Sequence, residues 1–377
     1  MLQKRTIGKV LILAVLLLAL ASGLAIPSCR PAQGIPRGSS GVSVTDGTLF
    51  LGSMDGKLVA IDKSTQQRLW PDVLFKQKQT GGFLGCTQGT ETVAIYGTPA
   101  VTAELVYITG YNGKMYARNR ETGASRWVYP REDELDPIVG GPTAAGDKVY
   151  FGGSDGSLYA LDAATGDKLW VFESEGKIWG TPAVKGDTVY IGSFDNKLYA
   201  LNVADGSLKW QFKTEGAIVA TPLVYDGTVY FGSFDRYLYA LSEIDGSLRW
   251  KYQADNWFWS RPLVEDGIIY ASSVDGKVHA LKAENGEKTV VFDLESPVSS
   301  SPILAAGSVI VAVEAGQVYS LDAGTGQKKP LVNLEEEIFA PLAAGDGVIY
   351  IHSADDVLYA VDAFSGATQW SLELESE

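Results

Sequence analysis

The chain has 377 residues, and 31 Lys+Arg against 45 Asp+Glu give it a formal net charge of -14. So acidic a surface excludes nucleic acid as a partner and disfavours adhesion to anionic headgroups, because phosphates would be repelled. Abundant Gly (42), Tyr (18) and Trp (9), with only 20% charged residues, predict an all-β protein of short strands and tight turns, of a length that propellers and barrels reach as one domain.

Residues 1–9 carry Lys4, Arg5 and Lys9, and residues 10–26 hold no charge, so residues 1–28 read as an export signal, with an uncleaved membrane anchor as the alternative. The apolar run ends in Ile26-Pro27-Ser28-Cys29. That ending resembles a bacterial lipobox, with Pro27 as its one departure, and it implies lipidation at Cys29 and a tether that buries acyl chain in a membrane. Residues 29–40, rich in Pro, Gly and Ser, then form a polar linker, and 41–377 is the folded domain. With Cys29 lipidated, Cys86 has no partner for a structural disulfide and reads as a sheltered thiol.

Beyond residue 41 the chain repeats itself eight times, with a period of about forty residues. The copies at 141–170, 181–210 and 221–250 are the clearest, and Trp170, Trp210, Trp250 and Trp370 stand on one ladder whose missing rungs are Val290 and Pro330. Each copy predicts four strands: one after the Thr-Pro step, one of the VYFGS type, one of the LYALD type, and one ending on the tryptophan. Asp155-Gly156, Asp195-Asn196, Asp275-Gly276 and Asn112-Gly113 suit hairpin turns that need positive φ. Four antiparallel strands per repeat and eight repeats predict an eight-bladed β-propeller. No half-blade is contributed from the two ends, so closure is expected from blade eight packing on blade one. Residues 71–96 are an insertion expected to protrude as a loop between blades one and two.

The pattern VYxGSxDGxLYALDxxTGxxxW resembles the repeat of the PQQ (pyrroloquinoline-quinone) propeller family over essentially everything after residue 41. That family contains both quinoprotein dehydrogenases and cofactor-free scaffolds, and size, lipoprotein-like start and eight repeats are similar to the BamB lipoproteins of the outer-membrane β-barrel assembly machinery. The enzymes' adjacent cysteines and their insertion of clustered calcium ligands have no counterpart here. Asp155, Asp195, Asp235 and Asp275 occupy equivalent turn positions and read as turn formers, and His279 and His352 read as repeat variants. Gly110-Tyr111-Asn112-Gly113 is turn chemistry, with no P-loop or nucleophile elbow beside it. The expectation is no cofactor, PQQ with calcium being the alternative, and no metal or catalytic residue.

Counting eleven back from the second-strand aromatic, or its equivalent, picks one residue per blade: Ser39, Tyr96, Val139, Trp179, Val219, Trp259, Ser299 and Phe339. Small and aromatic side chains alternate, which suits either a packed plug of the axial channel or an aromatic floor that docks a ligand. The loop 255–261 adds Trp257 and Arg261, residue types enriched at binding hot spots. Tyr96, Trp179, Trp257, Trp259, Arg261 and Phe339 are therefore the candidate binding face. The leading expectation is a non-enzymatic scaffold tethered to a bacterial membrane, on its periplasmic or cell-surface side, that binds a protein partner in envelope assembly. A small PQQ-binding enzyme or sensor and a carbohydrate-binding module are the alternatives.

Overall fold

Segments such as Thr188–Gly192 and Lys197–Asn202 are apolar on both faces because both faces are covered, and Val189, Tyr190 and Ile191 are all fully buried. The structure is a computed structural model and describes residues 40–78 and 90–374. Within them the chain forms eight four-stranded antiparallel sheets, each made of consecutive strands. These blades span 43–74, 100–129, 143–173, 183–213, 223–253, 263–293, 303–333 and 343–373. In blade four the strands are Ala183–Lys185, Thr188–Gly192, Lys197–Asn202 and Leu208–Lys213, running from the axis outward. The signal, Cys29, Cys86 and most of the linker lie outside the described residues.

The fourth strand differs from expectation. Trp170 sits mid-strand in Lys168–Glu173, and Trp210 and Trp250 do the same, because a bulge beside the tryptophan lets the strand continue three residues further. The turns between second and third strands have positive φ at Gly113, Gly156, Asn196 and Gly276, as the sequence pattern requires. Their aspartates cap the turn: Asp155 Oδ1 accepts from Ser157 N at 2.9 Å, while Asp155 Oδ2 and Asp235 Oδ2 accept from Tyr159 Oη at 2.5 Å and Tyr239 Oη at 2.7 Å.

The core is distributed over the eight seams between blades. Each seam is an apolar cluster drawn from two neighbours, such as Tyr190, Leu198 and Trp210 of blade four with Val229, Phe231 and Tyr239 of blade five. The tryptophan ladder reinforces these seams. Trp170 Nε1 donates to Val203 O at 3.1 Å, Trp210 Nε1 to Glu243 O at 3.1 Å and Trp250 Nε1 to Ala283 O at 3.0 Å, each in the next blade. Each indole also lies on a turn glycine of that blade. A Cβ on Gly246, where φ is +70°, would come within 2.5 Å of the Trp210 ring, so glycine is required there for two reasons.

Blade eight packs directly on blade one through Tyr350, Leu358 and Ala360 against Leu49, Leu51, Val59 and Ile61. No strand is exchanged between the ends among the described residues. The insertion after Trp70 is not simply a loop. Val73–Leu74 completes blade one against Lys57 and Leu58, and Lys76–Lys78 pairs with Thr90–Thr92. Phe75, Val93 and Ile95 are buried in the seam between blades one and two, so apolar burial holds the base of the insertion down, and its tip lies outside the described residues.

Candidate functional site

A blade that meanders outward puts its second-to-third turns and its exits to the next blade at one end of the propeller. Those two sets are tied together by backbone bonds: Phe194 N to Lys177 O at 2.9 Å, Phe234 N to Ala217 O at 2.9 Å and Val274 N to Trp257 O at 3.1 Å. This end is therefore a braced rim around the axis, a rigid platform for side chains. At its centre lies a cavity of about 420 Å³.

Every described member of the sequence-derived ring lines this cavity: Tyr96, Val139, Trp179, Val219, Trp259, Ser299 and Phe339. Ser39 lies outside the described residues. In each described blade the ring residue stands between a buried apolar residue before it and a buried residue after it. Ile178, Trp179 and Gly180 show the pattern. The ring does not close into a plug: Trp259 and Phe339 each keep 41% of their surface exposed.

Arg261 joins the ring from the same loop. It lines the mouth cavity and also a second axial cavity of about 410 Å³, formed with Thr143, Thr181, Thr221 and Lys185, which lie on or just before the inner strands of blades three to five. The surrounding protein desolvates its guanidinium and lowers its pKa from the usual arginine value. Among the described residues no Asp, Glu, His or Cys lines either cavity. Acid is placed on the exits around the rim instead, at the exposed Glu132, Glu134, Glu215, Glu295 and Glu337.

Trp257 sits beside the cavity, 44% exposed, within an aromatic arc that the ring count did not reveal. Phe234 is sandwiched between Trp257 and Trp259, at 4.7 Å and 18° to one and 5.3 Å and 21° to the other. Phe194 continues the arc to Trp179 at 4.7 Å, and Tyr111 meets Tyr96 at 5.6 Å across the rim. Phe194, Phe234 and Tyr111 share one repeat position, just before the turn, where blades three, six, seven and eight carry Ser154, Val274, Glu314 and Ala354. That contrast was available in the sequence.

The two histidines are buried parts of the blades. His279 Nδ1 lies 3.2 Å from Tyr252 Oη, and His352 bridges blades eight and one. No three His, Cys, Asp or Glu side chains among the described residues converge to hold a metal ion. The axial residues do not fit a calcium-held PQQ. Among the described residues the cavities offer no carboxylate or amide side chain as a calcium ligand, and the mouth cavity offers one guanidinium for a cofactor that carries three carboxylates.

Comparison with known proteins gives the same architecture. BamB from Moraxella catarrhalis superposes with a TM-score of 0.69 at 22% identity, covering 84% of this chain and 92% of that one. The computationally designed Ika8 protein matches with a TM-score of 0.67 at 17% identity over 85% and 95%, and a europium-containing methanol dehydrogenase with 0.64 at 14% over 88% and 85%. At these identities the likeness shows the fold alone. A search of curated proteins by sequence returned no match. A family model described as outer membrane protein assembly factor BamB matches residues 23–173, 154–258 and 254–329, well over half of the sequence. By that match the chain belongs to the BamB family of PQQ-type repeat propellers.

Proposed function

We propose that this chain is a non-enzymatic docking propeller of the bacterial envelope, held outside the cytoplasmic membrane through Cys29, that takes a protein partner on its aromatic rim during outer-membrane protein assembly. The observation that carries this reading is the part-exposed arc on a braced surface in which Phe234 stacks on Trp257 and Trp259 and meets Phe194 edge-on. Rigid aromatic side chains give large contact area at low entropic cost, which is the composition of an interface hot spot. The family description supports the setting, since it names an outer membrane protein assembly factor.

A non-catalytic role is supported by the chemistry of the linings. General bases and nucleophiles of the His, Asp, Glu or Cys type have no representative among the described residues that line either axial cavity. The reading includes no cofactor, because the same linings lack its ligands.

The test is crosslinking and co-purification from native membranes with the wild-type chain and with Trp257→Ala. Phe364→Ala is the control, since Phe364 is 79% exposed on a third-to-fourth turn, at the opposite end of the propeller. Loss of the captured complex in Trp257→Ala but not in Phe364→Ala supports rim docking. Equal capture by both variants refutes it.

A further inference from the structure

Among the described residues Arg261 is the one cation that lines the mouth cavity, and no carboxylate lines that cavity or the one beneath it. In a chain with 45 acidic residues this is a segregation of charge: acid occupies the rim, and among the described residues a guanidinium is left without an ion pair on the axis. A guanidinium that lines a cavity without an ion pair is a strong receptor for an anion, most of all for a planar carboxylate that takes two of its N–H groups.

The large side chains of the ring that Arg261 joins are apolar, among them Trp179, Trp259 and Phe339. Between those rings the ring positions are small, and Gly97, Gly140, Gly141 and Gly180 leave main chain lining the wall. A ligand that matches these surfaces has one negative charge, an apolar body of about side-chain size and amide groups to follow it outward.

We propose that the axial cavity receives the free carboxyl terminus of a polypeptide whose last side chain is apolar, Arg261 taking the carboxylate and the rings of Trp179, Trp259 and Phe339 the side chain. One guanidinium matches one carboxylate, and the acidic rim disfavours polyanions. The inference rests on the docking reading above, and it adds the identity of the segment that enters the cavity.

The test uses the full-length chain purified in detergent and a fluorescein-labelled hexapeptide, Gly-Ser-Gly-Ser-Leu-Phe, as the free acid and as the C-terminal amide, followed by fluorescence anisotropy at low ionic strength. The acid should bind roughly tenfold or more tightly than the amide, the ratio expected of a charge-assisted pair. In Arg261→Gln, verified as folded by its unfolding midpoint, that preference should vanish while residual binding persists. Trp259→Ala should weaken acid and amide alike. Equal binding of acid and amide by the wild-type chain overturns the proposal, as does decanoate competing as strongly as the peptide acid. If no peptide binds while Trp257→Ala still abolishes capture of the membrane complex, this inference fails and rim docking stands. If the peptide acid binds selectively while Trp257→Ala leaves capture intact, rim docking fails and the carboxylate site stands.

Discussion

His352 Nε2 lies 2.8 Å from Asp356 Oδ1, and both side chains are almost wholly buried where the last blade meets the first. His352 Nδ1 stands 2.9 Å from Ser40 O, and Asp356 Oδ1 accepts from Met54 N at 2.9 Å, so one pair in blade eight grips two points of blade one. Removing one partner leaves a buried polar or charged group uncompensated, at a cost of about 3–5 kcal/mol. His352→Ala and Asp356→Asn should each lower the denaturant midpoint accordingly, and the double variant should lose less than the sum. Additive losses in urea unfolding would show that the two side chains do not act as a pair.

The tryptophan rungs predict an uneven distribution of strength around the ring. Trp210→Ala removes an indole that lies on Gly246 and donates to Glu243 O, and should cost about 3–5 kcal/mol. Val290 occupies the same rung in blade six, where the nearest atom to a Cβ on Gly326 is its own Cγ2 at 3.7 Å. Val290→Ala should cost clearly less than Trp210→Ala. Hydrogen exchange should find the seams that follow blades six and seven opening before those of blades three to five, and uniform protection would contradict this ranking.

The repeat made the blades legible because turn chemistry and strand pattern recur in one register, so that one well-read copy explains the others. What recurs imperfectly was harder. At Gly152 and Gly192 an added Cβ would strike Ile178 and Ile218 of the next blade at 2.0 and 2.2 Å, which explains the glycine. The same repeat position in blade eight is His352, and its counterpart for the isoleucine, by sequence register, is Gly38. The exchange was visible in the sequence, but its meaning as a closure contact needed the two ends brought together. The strand pairing at the base of the insertion was hidden for a similar reason: Phe75 and Ile95 earn their burial only from a neighbouring blade.

The axial site was legible in outline. A fixed count from the second strand found every described ring residue, because strand length and turn length are constant and so place one residue per blade at the same radius. Phe194 and Phe234 were missed because they come from a different part of the repeat. The two sets meet only when the turn of one blade is bonded to the exit that leads into it.

His279 predicts a pH dependence. It takes the place of the tyrosine that reaches a turn aspartate in other blades, it is 4% exposed, and its Nε2 and Asp275 Oδ2 have no hydrogen-bond partner among the described residues. Burial pushes its pKa down to about 4, from an ordinary value of 6.5. Between those values the unfolded chain holds a proton that the folded chain does not. Stability from this group is therefore complete above pH 6.5 and is lost as pH falls toward 4, by roughly 3 kcal/mol at the limit. His279→Tyr restores the bond that Tyr239 makes to Asp235 and should flatten that part of the profile. Unfolding midpoints of both proteins at about pH 7, 5.5 and 4.5 would decide it, since the surface carboxylates are common to both. Parallel profiles would mean that His279 does not carry the effect.

Phe234 separates the site from the scaffold. It is the shared stacking partner of Trp257 and Trp259, so Phe234→Ala removes two ring contacts worth about 0.5–1.5 kcal/mol each, and the buried area lost with the ring adds to that. Because the ring is only half-buried at the rim, the total should still be smaller than for Trp210→Ala, whose indole lies in a seam and is 8% exposed. Its effect on docking should be the reverse, for without Phe234 the two indoles have nothing to hold them parallel above the cavity. Near-ultraviolet circular dichroism should show the loss of ordered tryptophan signal in Phe234→Ala, and membrane co-purification should fall as far as in Trp257→Ala. If Phe234→Ala instead unfolds the protein as severely as Trp210→Ala, the arc is part of the core. If it leaves both the signal and the capture intact, the stacking does not organise the rim.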